Sequence, residues 1–257
     1  MFSIILPFYN AEQTLGYSVQ SVIDQSFDKW ELLLINDGSN DSSGSIADRF
    51  SKNDTRIRII NLNENMGVGY ARNLGIELAE NDLILFLDSD DLWYNIKLEF
   101  LSSYIVKHPA CGVYYSSYNI ISNEGVSCNK VLKIRPINCL TDYLKRTNIG
   151  LSFTLVDKSR IGKIRFSQDR TRQDTRFWIK LLQNETRFCP IQKVLGDYRL
   201  TKNSLSRNKI KAAIGVWRIY NKELGLSNLA AFYCFLHYGI NSLNKYERNN
   251  SVRTVQS

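Results

Sequence analysis

The chain opens on a continuous apolar run, residues 3 to 7, and then changes period. Between about residues 11 and 27 the apolar positions Leu15, Val19, Val22 and Ile23 recur at helical spacing, and a second continuous run follows at 31–35. The alternation continues with a polar helix near 42–50, a strand at 57–61, a helix at about 68–79 and a strand at 83–87. Strands that are apolar throughout, separated by helices, predict an α/β fold with a mostly parallel sheet covered on both faces. Such sheets bind ligands beyond the carboxyl ends of their strands, so the turns after these strands are where chemistry is expected. Beyond Phe100 the pattern weakens. Residues 111–121 predict one or two strands, 133–146 a connection and short helix, and 177–182 part of a helix starting near Arg172. Residues 210–246 predict two amphipathic helices broken around 225–228.

At 257 residues, 44% of them apolar, the chain is long enough to bury a substantial core. No window reaches the roughly 18 consecutive apolar residues of a membrane-spanning helix. Met1 to Pro7 lacks both a basic residue ahead of its apolar run and a small-residue cleavage site. It therefore reads as a first strand rather than a signal peptide, and a cytoplasmic protein is expected. Five cysteines, an odd number without a CxxC pair, suggest small buried or half-buried free thiols rather than a disulfide framework or zinc cluster.

Charge is divided unevenly. Residues 1–100 carry 7 Lys/Arg against 16 Asp/Glu, whereas residues 101–257 carry 26 against 9. The acidic part suits a cation held by carboxylates; the basic part suits an anionic acceptor, a phosphate-bearing lipid or a membrane surface. The basic residues are dispersed and form no nucleic-acid module, so no nucleic-acid partner is expected.

The sharpest chemical signal is the apolar strand 83–87 running into Asp88-Ser89-Asp90-Asp91. Three carboxylates in four residues at a sheet edge repel one another unless a cation neutralises them. Mg²⁺ or Mn²⁺ bridging diphosphate oxygens fits hard oxygen ligands of this kind. Asp91 also suits the cap of a following helix. Asp37-Gly38-Ser39 follows the strand 31–35, so its carboxylate is positioned for a nucleobase imide or ribose hydroxyl, although Asp-Gly is equally an ordinary turn. Tyr9 offers an aromatic face. Arg72, in the helix that Asn65-Met66-Gly67 opens, offers a guanidinium for phosphate or base oxygens.

Taken together, Ser3-Ile4-Ile5-Leu6-Pro7-Phe8-Tyr9-Asn10, Leu34-Ile35-Asn36-Asp37-Gly38-Ser39, Asn65-Met66-Gly67 to Ala71-Arg72-Asn73-Leu74-Gly75, and Phe86-Leu87-Asp88-Ser89-Asp90-Asp91 resemble, in order, the nucleotide-sugar region of the family 2 glycosyltransferases, inverting enzymes with the GT-A fold. The resemblance implies a Rossmann-like nucleotide-sugar domain and a UDP-sugar donor, with Pro7 and Tyr9 around uracil, Asp37 on base or ribose, and Arg72 near the base. Asp88-Ser89-Asp90 would be the DXD motif, with Asp88 facing ribose or metal and Asp90 the metal-bridged diphosphate.

The family's acceptor-activating base lies in an acidic pair before an aromatic-rich helix. Arg172-Gln173-Asp174-Thr175-Arg176-Phe177-Trp178 resembles that segment, with Asp174 as the base, Gln173 in place of the first acid and Asp169 as the fallback. Tyr198-Arg199 and Asn203-Ser204-Leu205-Ser206 resemble the loop that closes over the diphosphate. Leu200 and Thr201 stand where many relatives carry a metal-binding histidine, which leaves Arg199 or Lys202 to offset the leaving charge.

The aromatics Trp217, Tyr220, Phe232, Tyr233, Phe235 and Tyr238 among Lys209, Lys211, Arg218 and Lys222 suit either packing onto the domain or an anionic membrane surface. The resemblance favours membrane contact, with a polyprenyl-diphosphate-linked saccharide acceptor in O-antigen or capsule assembly, on the cytosolic face of the inner membrane. The expected organisation is a glycosyltransferase domain over 1–208 (1–100 for the nucleotide-sugar, 101–208 for the acceptor) and C-terminal helices over 209–257. Two other readings are a non-catalytic nucleotide-sugar-binding subunit and a nucleotidyltransferase. The latter lacks the glycine- and lysine-rich phosphate loop expected after its first strand.

Overall fold

A computed structural model describes residues 1–147, 149–169, 171–200, 209–243 and 247–248. The first half alternates: β1 (Phe2–Phe8), α1 (Leu15–Ile23), β2 (Trp30–Asn36), α2 (Ser43–Asn53), β3 (Ile57–Asn61), α3 (Val68–Leu78) and β4 (Leu83–Phe86). Then come a two-residue β5 (Leu92–Trp93), α4 (Lys97–Lys107), β6 (Val113–Ile121), β7 (Ser127–Leu132) and α5 (Leu140–Leu144). A 3₁₀ turn at Leu151–Phe153 leads into β8 (Thr154–Asp157), α6 (Lys158–Ile161), α7 (Gln173–Gln183) and β9 (Phe188–Arg199). The described residues close with α8 (Lys209–Arg218), a π turn (Ile219–Glu223), α9 (Asn228–Leu243) and β10 (Glu247–Arg248).

One sheet runs β10-β7-β6-β8-β4-β1-β2-β3, with β9 beside both β6 and β5. Strands β3, β2, β1 and β4 are mutually parallel, as the apolar runs predict, and every residue of β1 and β2 is buried. Order reverses at β1, which has β2 on one edge and β4 on the other, and so opens the crevice in which such sheets bind ligands. α3 lies tightly against this point because Gly75 lacks a side chain: a Cβ there would meet Ile5 Cγ2 at 2.4 Å. Across β4 the sheet turns antiparallel through β8 and β6.

Several elements differ from the expectation. α1 is shorter than the helical periodicity, and α4, β7, β8, α6 and β9 lie where the sequence pattern predicts no element. β9 mixes buried and exposed positions without a period of two, and its register against β6 shifts twice. Tyr198 and Arg199, expected in a closing loop, are the last residues of that strand; Thr201, Lys202 and the 203–206 segment lie outside the described residues. Asp91 caps no helix: β5 follows it directly. The expectation of free thiols is corrected for two cysteines, because Cys111 and Cys189 are joined by a disulfide with Cα atoms 6.0 Å apart. The parallel pairing of β6 with β9 brings them together across 78 residues of chain, which no spacing rule reveals.

The C-terminal helices pack on the sheet domain through Val216, Ile219, Tyr220, Ala231 and Cys234, all buried. The Tyr220 hydroxyl donates to the Leu144 carbonyl, and Arg176 of α7 donates two hydrogen bonds to Glu223, at 2.8 and 2.7 Å. That guanidinium holds the Glu223 carboxyl below its ordinary range. A depressed carboxyl contributes stability above its unfolded-state pKa and loses it as pH falls through the folded one. Glu223→Gln is therefore expected to lower the free energy of urea unfolding near neutral pH by under about 1 kcal/mol, since both partners retain solvent contact. The difference from wild type should close on acidification, which unfolding at the two pH values measures.

Candidate active site

Three strand ends meet at the crevice. After β2, Asp37 turns inward rather than toward solvent, and its two oxygens accept the backbone N–H groups of Met66 and Gly67 at 2.8 and 3.0 Å. This carboxylate fastens the turn ahead of α3 to the end of β2. Gly38 is required beside it: its φ is +72°, and a Cβ would lie 2.7 Å from the Glu64 carbonyl carbon. Pro7 is buried in β1, and Tyr9, just beyond it, is 47% exposed at the rim.

After β4, the Asp88–Asp91 turn distributes its carboxylates among three environments. Asp88 accepts from Arg72 Nη2 at 2.6 Å. Arg72, buried on α3, has its guanidinium carbon 5.5 Å from the Phe166 ring centroid, and its Nε has no partner among the described residues. Asp91 is wholly buried, accepting the Ser152 hydroxyl at 2.5 Å and the Arg199 backbone N–H at 3.0 Å. Burial first, then the charges of Asp90 and Asp88, push its carboxyl well above the ordinary range. The Asp90 carboxylate alone accepts no hydrogen bond from another residue among the described residues, while burial and then the Asp88 charge push it up to about 6. Ser89, half-buried, sits between them. Arg199 braces the turn from below, donating from Nε to the Asp90 carbonyl at 2.8 Å and from Nη1 to the Asn123 carbonyl at 3.0 Å.

Ser152 organises this turn and has no motif to announce it. Its hydroxyl accepts the Asp88 N–H at 3.0 Å while donating to Asp91, and its carbonyl accepts Trp93 Nε1 and Lys97 Nζ, each at 2.7 Å. Lys97 is fully buried against the Trp93 and Phe153 rings, and burial pushes its ammonium pKa down. Ser152→Ala leaves a buried N–H and a buried carboxyl each short of one partner, so a loss of about 2 kcal/mol is expected. Chemical unfolding of Ser152→Ala beside Ser152→Thr measures it, and the threonine, which keeps the hydroxyl, should recover most of the loss.

α7 brings the second half of the chain to the same rim. Phe177 and Phe166 stack at 4.1 Å and both meet Phe86 of β4 edge-on, at 6.4 and 5.3 Å. Arg172 starts the helix in a left-handed conformation, φ 52°, and Gln173 is buried against Gly69, where an added Cβ would stand 2.8 Å from its Oε1. Gly69 precedes Arg72 by one helical turn, so the contacts run from Gln173 through α3 to Arg72 and Asp88. Asp174 is half-buried in the first turn of α7, where the helix dipole favours its charge, and its carboxylate accepts no hydrogen bond among the described residues. Asp169 is instead 61% exposed and 3.5 Å from Arg176 Nε. The amide at 173 has its own structural reason. Its Nε2 donates to the Asp169 carbonyl at 2.5 Å, which a carboxylate cannot do.

The donor set fits a divalent cation in one respect. Asp88 is engaged by Arg72 and Asp91 by Ser152 and Arg199, which leaves Asp90 as the crowded carboxylate with open acceptor sites among the described residues. Among the described residues no cluster of three or more His, Cys, Asp or Glu side chains is arranged as a metal cage. One protein carboxylate supplemented by phosphate oxygens and water matches how Mg²⁺-type ions are commonly held.

Known proteins match along the same chain. Residues 3–153 match the model of glycosyl transferase family 2. TuaG of Bacillus subtilis (strain 168), a glycosyltransferase named for teichuronic acid biosynthesis, is 34% identical over 245 residues, 95% of this chain and 97% of its own. The Escherichia coli UDP-Glc:alpha-D-GlcNAc-diphosphoundecaprenol beta-1,3-glucosyltransferase WfgD is 32% identical over 258 residues, 96% of this chain and 95% of its own. The crystal structure of S. aureus TarS 1-349 in complex with UDP-GlcNAc superposes with a TM-score of 0.71 at 19% identity, covering 97% of this chain and 74% of that one. At that identity the likeness establishes the fold.

Proposed function

Because the chain belongs to glycosyl transferase family 2, we propose that it is an inverting enzyme that moves a hexose from a UDP-sugar to a polyprenyl-diphosphate-linked saccharide during assembly of a bacterial surface polysaccharide, working peripherally at the cytosolic face of the membrane. The observation that carries this reading is the Asp88–Asp91 turn, with Asp90 its one carboxylate unclaimed by another residue among the described residues, on the rim that α7 and Asp174 approach. The printed names of TuaG and WfgD, relatives along almost their full lengths, support the polysaccharide setting and the lipid-diphosphate acceptor.

In this reading Tyr9 and Pro7 border the uracil, Asp37 holds the turn at the nucleoside, and Arg72 orients Asp88 toward the ribose. Asp90, with Ser89 and Asp88, faces the diphosphate, and Arg199 adds positive charge beneath it. A Mn²⁺ or Mg²⁺ ion held chiefly by Asp90, with Asp88 beside it, would supply Lewis-acid neutralisation of the leaving diphosphate. Asp174 accepts the proton of the acceptor hydroxyl as its oxygen bonds to the anomeric carbon. The bond from that carbon to the UDP oxygen breaks on the opposite face, and its electron pair leaves with UDP.

The test is UDP release from a panel of UDP-sugars with a synthetic lipid-diphosphate N-acetylhexosamine. Acceptor-dependent release is expected, with an inverted anomeric configuration in the product. Nucleotide binding without acceptor-dependent turnover across the panel would favour a binding subunit, and release of pyrophosphate from a nucleoside triphosphate would favour a nucleotidyltransferase.

A further inference from the structure

We propose that the outer face of α9 is a docking surface for an anionic lipid bilayer and holds that bilayer about one helix diameter from the Asp174 end of α7. From Asn228 to Leu243 the helix carries no Asp, Glu, Lys or Arg. Its inner positions Ala231 and Cys234 are buried against the domain. On the opposite side Leu229, Phe232, Tyr233, Leu236 and Ile240, spaced by three and four residues, form a stripe whose members are between 49% and 84% exposed. A contiguous apolar stripe of this kind is not the usual scatter of single surface hydrophobics. At 16 residues, or about 24 Å, α9 is shorter than a bilayer core, and no described helix is long and apolar enough to cross a membrane. The geometry suits a helix lying in the headgroup layer.

Charge selects the partner. Lys145 Nζ lies 4.8 Å from the Tyr233 ring centroid at the margin of the stripe, and residues 101–257 carry 26 basic against 9 acidic side chains. Anionic headgroups answer that excess. A second copy of the chain fits less well, because five side chains on one helix fall short of the roughly 800 Å² per partner typical of a stable protein interface.

The stripe is also oriented with respect to the site. On the inner face of α9 the Tyr238 hydroxyl is 3.5 Å from Arg172 Nη2, and Arg172 starts α7 two residues before Asp174. The thickness of α9, about 10 Å, therefore separates a docked lipid surface from the helix end that carries Asp174. A diphosphate at headgroup level would present its saccharide there. That consequence rests on the lipid-linked acceptor of the preceding section; the docking itself does not.

The experiment is flotation of the full chain with phosphatidylcholine vesicles, with and without phosphatidylglycerol. The double variant Phe232→Ser/Leu236→Ser alters exposed positions and Lys145→Glu a half-buried one, and thermal melting with UDP binding by calorimetry checks that each is folded. Wild type is expected to float with the anionic vesicles. The double variant should lose at least about tenfold in partitioning, and Lys145→Glu should weaken the preference for phosphatidylglycerol; UDP affinity and transfer to a water-soluble acceptor should stay unchanged in both. The proposal is overturned if wild type does not float, if the double variant floats equally well, or if wild type is a dimer that the double variant dissociates. Vesicle binding lost in the variant, combined with no transfer to any lipid-diphosphate acceptor by wild type, would overturn the acceptor assignment and leave the docking surface standing.

Discussion

Asp174→Asn is expected to lower kcat by about a thousandfold, within the range that a positioned general base contributes, while the affinity for UDP-sugar stays close to wild type. The substitution is nearly isosteric and removes no hydrogen bond among the described residues. α7 keeps its anchors, because Phe177 and Trp178 are fully buried. The loss should therefore appear in kcat and not in folding. Asp169→Asn is the necessary comparison, since it removes the other carboxylate near this helix start, an exposed one held toward Arg176. Single-turnover rates and UDP calorimetry on both variants decide the matter: equal loss in both, or loss only in Asp169→Asn, removes Asp174 from the role of base. Gln173→Glu should not improve the enzyme. It replaces the donor to the Asp169 carbonyl with a buried carboxylate facing that carbonyl, and reduced thermal stability is the expected result.

The second large effect is expected at Asp90. Asp90→Ala should abolish the strengthening of UDP binding by Mn²⁺ and reduce turnover by about a hundredfold or more, the scale of charge stabilisation a Lewis acid contributes. Calorimetric titration of UDP with and without Mn²⁺ gives a readout independent of activity. The neighbouring carboxylates predict different outcomes. Asp88→Asn leaves the buried Arg72 guanidinium without its charged partner, so it should weaken UDP binding with and without metal. Asp91→Asn disturbs the Ser152 and Arg199 network, so it should cost stability first. If Asp90→Ala keeps the full Mn²⁺ response, the cation is held elsewhere and the assignment fails.

Much of this molecule is legible in the amino-acid sequence, for identifiable reasons. The four parallel strands of the first half are buried on both faces, so their sequences are apolar throughout, and the turns after β1, β2 and β4 stand at one edge because the strands are parallel. The sequence-predicted groups Tyr9, Asp37, Asp88 and Asp90 are local to those turns and Arg72 lies on α3 beside them, and four short motifs in order sufficed to suggest the family. The sequence predicts a helix starting near Arg172, and Asp174 is a candidate through the resemblance of the segment at that helix start to the family's.

Only the tertiary structure decided how the carboxylates differ. In sequence, Asp88, Asp90 and Asp91 are three acids in four residues. In space one faces Arg72, one is sealed under Ser152 and Arg199, and one remains open among the described residues, because partners 16, 61 and 108 residues away arrive through other elements. The inward turn of Asp37 onto the α3 entrance, the strand that contains Arg199 and the Cys111–Cys189 bond have the same origin. Each depends on the pairing of β6 with β8 and β9 or on the packing of α3 against β1, and long-range pairing of that kind leaves no periodic trace in the amino-acid sequence. Periodicity records which face of an element is buried; the partner that buries it is chosen by the fold as a whole.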